Sequence, residues 1–398
     1  MKHHVLCLLL PFFLVGIAIA EPFRFVEDND RKQLFISDGT LPVLTYVYDA
    51  VEHENVPQRD LRRLAGCYVH PLHGLRGEIL TDNAPADHYH HHGVFWTWPH
   101  VGVHEPDGKV TQYDLWTSNG PLKQHFVRWI DKTITDQSAI FEVENGWFVG
   151  NPQDGKKIMT ERVKITVHRV QTVGDVPSRA VDFEFQWQPT DKPISLRGAE
   201  DKSYGGLTVR FKPMIAFGER EARRSDINRI TVPAGIAEGD LPETPLQWAD
   251  YTSLFPISRT PIAMTRDGTP IEGAVITHTP TPMDQLTGRL TQDFTVTLDG
   301  NPVEGARVSF APSIPGVPSG PERRSGAAIF IPKTHPDFPP TWLTRYYGAM
   351  CVGWPGVKGQ TFQPGEKIEL RYRIWIHDGA VTVPQIEKAY EEYHEPRT

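Results

Sequence analysis

The sequence predicts an all-β fold, a large antiparallel β-sandwich with one C-terminal helix, and three observations carry that prediction. Glycine (33) and proline (35) make up about a sixth of the 398 residues, too much punctuation for long helices. Between these breaks the apolar residues alternate with a period of two. Only one stretch repeats with the period of a helix.

Taken in chain order, the first segment is a targeting signal. Lys2 precedes an apolar run from Val5 to Ala20 that closes on Ala18-Ile19-Ala20, so residues 1–20 read as a signal peptide. The expectation is an exported protein, periplasmic or extracellular, beginning at Glu21. The run is too short to span a bilayer and no later segment is apolar enough, which predicts no membrane span. With Cys7 removed, Cys67 and Cys351 remain, either as a disulfide or as two buried small hydrophobes. The formal charge of −8 is scattered in both signs without a basic patch, which argues against nucleic acid as a partner.

The strands follow. "FRFVEDNDRKQLFISDGTLPVLTYVYDAV" (23–51) reads as two strands, a turn and a third strand. "AVDFEFQW" alternates at Val181, Phe183, Phe185 and Trp187, and "VKITVHRV" is nearly in step at Val163, Ile165, Val167 and Val170. "KIELRYRIWIHDG" does so at Ile368, Leu370, Tyr372, Ile374 and Ile376. "DGTPIEGAVITHTP" (267–280) and "DGNPVEGARVSFAP" (299–312) form a pair of repeats, each read as a turn, a short strand at "EGA" and an outgoing strand. They mark residues 257–322 as an inserted Ig-like or prealbumin-like β module, with the main domain on residues 21–256 and 323–398. The helix is "TVPQIEKAYEEYHE", where Thr382 caps, Pro384 suits the first turn, and Ile386, Ala389, Tyr390 and Tyr393 share one side.

Chemistry concentrates in "APADHYHHHGVFWTWPH" (84–100). In an extended segment His88, His90 and His92 project to one side and His91 to the other. Three readings stay open. His88, His90 and His91 are acid/base groups oriented by Asp87; or His88, His90 and His92 hold a divalent metal such as Zn or Cu; or the imidazoles staple a loop. Phe95, Trp96 and Trp98, with Asp114 and Trp116 in "YDLW", suggest a platform for a sugar ring, one of Trp96 and Trp98 being core. In "LRGAEDKSYGGLTVRF" Lys202, Tyr204 and Arg210 surround Gly205-Gly206, and Arg210 could clamp a carboxylate. In "THPDFPPTWLTRYYG", a tyrosine beside Arg345, such as Tyr346, could act as a base of lowered pKa, with His335 and Tyr347 nearby.

In order, "HPLHGLRGEILTDNAPADHYHHHGVFWTW", "YDLW", "SYGGLTVRF", "SGAAIFIPKTHPDFPPTWLTRYYG" and "QTFQPGEKIELRYRIWIHDG" resemble the motifs of an exported bacterial family often labelled "methane oxygenase PmoA", otherwise a domain of unknown function. The shared core is Asp87, His88, His90, His91 and Gly93; His92 stands where the family more often has Arg. That label implies a copper monooxygenase subunit built of membrane-spanning helices, which this chain lacks after residue 20. The pattern is also distantly similar to galactose mutarotase-like proteins, which implies their β-supersandwich. Together these readings predict an exported carbohydrate-active protein taking a glycan or small sugar as partner. It would be a lyase, hydrolase or epimerase using histidines or a metal; the alternatives are a non-catalytic glycan-binding or surface-assembly protein and a metal-dependent oxygenase-like enzyme.

Overall fold

A computed structural model describes residues 22–213, 227–256, 261–267, 269–271, 275–279, 293–310 and 322–394. The expected signal peptide lies outside them, as does part of the 257–322 segment. Among the described residues no helix is long and apolar enough to cross a membrane.

Two large antiparallel sheets dominate. The first has nine strands, in spatial order Phe23–Asp28, Gln33–Asp38, Leu41–Val47, Tyr68–Leu72, Val94–Thr97, Gly206–Arg210, Ala349–Gly353, Thr341–Arg345 and Leu241–Pro245. The second has ten. Nine of these run Leu122–Ile134, Ser138–Val149, Lys156–His168, Val176–Pro189, Ile368–Asp378, Glu322–Phe330, Trp248–Pro256, Arg229–Val232 and Gly235–Ile236, and Gln171–Val173 pairs beside Val176–Pro189. A four-stranded sheet (Gln360–Phe362, Ile194–Arg197, His100–His104, Val110–Tyr113) is interleaved with them along the chain.

The alternation legible in the sequence builds the core. Val163, Ile165, Phe183, Phe185, Tyr372 and Ile374 of the ten-stranded sheet are buried in one cluster with Val94, Trp96, Leu207, Val209, Met350 and Val352 of the nine-stranded sheet. Alternate residues along each of these strands therefore face the opposite sheet, as a sandwich requires. Val170 departs from the expectation, since it lies beyond the end of Lys156–His168 and is 41% exposed.

One carboxylate holds the middle of this core. Glu161 is fully buried, and its Oε2 accepts hydrogen bonds from the indoles of Trp147 (2.9 Å) and Trp187 (2.8 Å) and from Gln124 (3.0 Å). Its Oε1 accepts from Asn145 at 2.9 Å. Four donors for one buried carboxylate satisfy the demand that burial imposes.

The helix runs Val383–His394, with Ile386, Ala389 and Tyr390 buried against Trp248, Phe330 and Trp375 of the ten-stranded sheet. Its start is closed by Gln385, whose Oε1 accepts from the Thr382 backbone N–H and hydroxyl, each at 2.9 Å. This is the return half of a capping box.

The two repeats show at their turns. Asp267 and Asp299 both adopt left-handed φ (50° and 51°), each just after a strand that folds back on a two-residue partner. The short strands are Thr269–Pro270 and Asn301–Pro302; in the second repeat the strand lies ahead of "EGA", whose Glu304 and Gly305 form a turn, and "EGA" of the first repeat (272–274) lies outside the described residues. Aspartate followed by glycine suits this position because both tolerate positive φ in a two-residue hairpin. These strands pair with Ala306–Phe310, Pro261–Arg266, Val275–Thr279 and Asp293–Leu298 in two three-stranded sheets of their own.

Cys67 and Cys351 are both free, and both are buried in an apolar cluster with Phe95, Trp116 and Leu343. Of the two expectations, that of buried small hydrophobes is the one realised. Burial pushes the Cys351 thiol up to about 12 and raises Cys67 as well, so neither is an activated nucleophile.

Candidate functional site

The site grows on the outer face of the nine-stranded sheet. Val94, Trp96, Leu207, Val209, Met350 and Val352 point into the sandwich, so by alternation Phe95, Thr208, Arg210 and Cys351 point outward. Phe95 stands opposite Thr208, and Thr208 opposite Cys351, in register. The segment 82–93 lies over this floor. It is tied down where the Gly93 carbonyl accepts from Arg210 N (2.7 Å) and the Arg210 carbonyl accepts from Asp82 N (2.8 Å). Gly93 has φ 58°, and a Cβ there would run into the Val69 carbonyl, so only glycine fits.

The histidine segment is not extended, which corrects the strand-like expectation. Two successive turns fold it: His88 N donates to Pro85 O (2.9 Å) and His91 N to His88 O (3.0 Å), while Ala84 N closes the loop on His91 O (2.8 Å). Turn geometry brings residues three apart together where a strand would bring residues two apart together. The rings of His88 and His91 accordingly stack, 4.6 Å between centroids at 4°. Tyr347 covers the far side of His88 at 5.3 Å and 12°, making a three-ring stack. His90 meets both imidazoles edge-on, at 5.6 and 4.6 Å.

Asp87 and Arg210 anchor the cluster. Arg210 Nη2 donates to both Asp87 oxygens, at 3.0 and 2.8 Å, and its guanidinium lies 4.6 Å from the Tyr347 ring centre. The Arg210 side chain is 5% exposed. Asp87 also accepts from His88 Nδ1 at 2.9 Å. Burial would raise the Asp87 carboxyl, but the His88 hydrogen bond and the Arg210 charge outweigh it and hold the group at about 2. A carboxylate that only accepts places the proton of His88 on Nδ1 and leaves Nε2 as the free lone pair. The other imidazoles are kept neutral: burial, aided by His88, lowers His90 to about 4, and burial lowers His91 and His92 well below the ordinary value.

His92 belongs to a different group. Its Nδ1 bonds Asn83 Oδ1 at 2.8 Å and its ring stacks on Tyr68 (5.0 Å) and His53 (4.9 Å). The proposed metal set of His88, His90 and His92 is therefore not assembled. The stacked pair His88/His91 also directs its in-plane lone pairs side by side, which cannot converge on one ion. Among the described residues no three His, Cys, Asp or Glu side chains are placed to hold a metal. His90 and His92 do line one small cavity of about 20 Å³ with Lys123, Thr97 and Trp116, room for about one water. Lys123 Nζ donates to the carbonyls of Leu61 (3.1 Å), Leu64 (3.4 Å) and Ser118, closing that cavity's rim.

The remaining predicted residues divide. Trp116 is buried against His90, His91 and Phe95, and the half-buried Tyr204 ring covers it at 4.6 Å. Trp96 and Trp98 are both fully buried, Trp96 against Phe185 and Trp98 among Trp147, Trp187 and Trp354. Neither offers a face to a sugar, because both point into the core between the two sheets. Asp114 is spent on a turn, accepting from Thr117 N (2.9 Å) and its hydroxyl (2.7 Å). Arg345 pairs with Asp240 at 3.2 Å, and Lys202 is exposed on its turn. Tyr346 is not a base: its hydroxyl donates to the Ala237 carbonyl and burial raises its pKa. Tyr347, one residue on, is the ring the site uses. His53, Tyr68 and Asn83 complete the His92 group; Asn83 lies within the quoted motif, and nothing in the sequence marks His53 or Tyr68.

The family described as "Family of unknown function (DUF6807)" matches residues 34–285 and 308–391. That agrees with the unknown-function side of the resemblance noted above and adds no link to an oxygenase. No curated protein matches the sequence. Among solved structures, a galactose mutarotase-like protein from Clostridium acetobutylicum is similar at a TM-score of 0.34 and 8% identity, over 90% of this chain and 99% of that one.

Proposed function

Because the chain belongs to the family of unknown function DUF6807, its activity must be read from its own residues, and we propose an exported carbohydrate-active enzyme that moves a proton with His88. The observation that carries this reading is the Asp87–His88 pair. One imidazole nitrogen is fixed by a carboxylate at 2.9 Å while the ring remains 30% exposed. That is the arrangement a general base needs: orientation from one side, access from the other. Arg210 positions Asp87, and Tyr347 and His91 hold the imidazole plane between them. His90 and His91, kept neutral by burial, surround the base without adding charge. The half-buried rings of Tyr89 and Tyr204 border the segment and suit the C–H face of a sugar. Proton abstraction at a sugar carbon, or from a water attacking a glycosidic carbon, makes the reaction class a lyase, epimerase or hydrolase. Residues 257–322 are read as an inserted module outside this chemistry.

The test is a screen of the mature protein against polysaccharides and sugars, read by reducing ends, by absorbance of unsaturated products and by NMR for epimerised ones. His88→Ala should abolish the turnover found while leaving Tm within a few degrees. Full turnover in that variant removes His88 from the mechanism.

A further inference from the structure

A second site lies on the other side of the molecule. Phe183, Phe185, Leu370 and Tyr372 face the core, so Glu184 and Arg371 between them project from the outer face of the ten-stranded sheet. There a groove of about 420 Å³, within the range of ligand sites, is floored by four adjacent strands and walled by the segment Pro332, Thr334, His335 and Pro336. This wall belongs to "THPDFPP", which the histidine cluster does not use. His335 is held in it, its Nε2 3.3 Å from the Tyr372 hydroxyl and its Nδ1 accepting from Asp337 N at 3.2 Å.

The floor carries both signs in an ordered array. Glu142 stands opposite Lys164, Lys164 opposite Glu184, and Glu184 opposite Arg371. The next row sets Arg162 opposite Gln186 and Gln186 opposite Glu369. Lys164 bonds Glu184 at 3.0 Å and Gln186 bonds Glu369 at 2.7 Å, with both members of the Lys164–Glu184 pair more than a third exposed. Three carboxylates and three cations line the groove, so it has no net charge. An anionic ligand would face the carboxylates and a cationic one the cations, each at a cost that cancels its gain. A ligand with one positive and one negative end would use a single pair of the array.

A chain of hydroxyl groups answers every position, because each hydroxyl donates to a carboxylate and accepts from a cation or amide. Pro332 and Pro336 add apolar surface for C–H faces. We infer that this groove binds a neutral oligosaccharide, as a holding site separate from His88. The inference does not rest on the catalytic reading of that residue.

Titration calorimetry of the mature chain with neutral hexasaccharides (gluco-, xylo-, manno- and galacto-configured) tests it, with a hexagalacturonate and a chitosan hexamer as charged comparators. At least one neutral sugar should bind. Glu184→Ala and Arg371→Ala should each weaken it roughly tenfold, the worth of one hydrogen bond to a charged group, and Thr334→Trp should block it. His88→Ala should leave the affinity unchanged. No binding by any neutral sugar at millimolar concentration, tighter binding of a charged comparator, or indifference to all three groove variants overturns the inference. So does loss of binding in His88→Ala alone, which assigns the sugar to the histidine site and leaves the proton-transfer reading intact.

Discussion

Asp87→Asn tests the geometry on which the candidate site depends. The wild-type carboxylate meets Arg210 Nη2 with both oxygens and His88 Nδ1 with one. Asparagine keeps the shape but has one acceptor for those donors, and its amide turns N–H groups toward a guanidinium. Arg210 is 5% exposed, and its Nε and Nη1 already lack partners, so the variant buries a cation with no counter-charge. Breaking a pair of this kind costs about 3 kcal/mol. The cost has a pH signature. Asp87 is depressed from 3.8 to about 2 on folding. A group of depressed folded pKa contributes stability above its unfolded pKa and loses it as pH falls through the folded one. Converted in full the shift gives about 2 kcal/mol, and solvent screening at the 18% exposed carboxylate reduces it to roughly 1 kcal/mol. Urea melts of both proteins at pH 7, 5, 4, 3 and 2 should therefore show a deficit of about 3 kcal/mol at pH 7, narrowing by roughly 1 kcal/mol between pH 5 and pH 2. A deficit that stays constant over that range refutes the pairing of Asp87 with Arg210 and His88 as described.

Two other variants or assays bear on the scaffold. Glu161→Leu keeps the volume but leaves the Trp147 and Trp187 indoles without an acceptor. Chemical denaturation should show a loss of about 3 kcal/mol or more, and a neutral result removes the carboxylate from its central role. Cys67 and Cys351, buried and free, should resist a thiol reagent in the native protein and react as two thiols after denaturation. Immediate native reaction, or fewer than two thiols in a denatured and unreduced chain produced from Glu21 onward, contradicts their placement.

The fold was legible because strands that face a core on one side write their geometry into alternate positions. Ile368, Leu370, Tyr372, Ile374 and Ile376 are all buried as their spacing predicts. The same rule misassigns Trp96 and Trp98. It separates two faces of a strand but does not say that theirs is the one meeting the opposite sheet, nor does it tell a solvent face from one covered by loops, since Phe95 and Thr97 on the other face are buried as well. Arg210 was readable as outward-facing; that its partner is Asp87, 123 positions away, was not.

The histidines show the limit most sharply, and they also show why the site is more than its motif. Spacing in "HYHHH" is compatible with a strand, which gathers His88, His90 and His92, or with a turn, which gathers His88 and His91. The choice is made by backbone bonds to Pro85, His88 and Ala84, none of which depends on an imidazole. The ring that completes the stack, Tyr347, comes from the turn after Thr341–Arg345, and the neutralising burial comes from Phe95 and Trp116 on two further segments. A local motif thus supplies the titratable groups and the Asp87 partner of His88, while more distant segments fix that carboxylate through Arg210 and force the other imidazoles neutral. Of the four histidines in the motif, only His88 combines a carboxylate at one nitrogen with a partly exposed ring. That separates a base from its equally conspicuous neighbours.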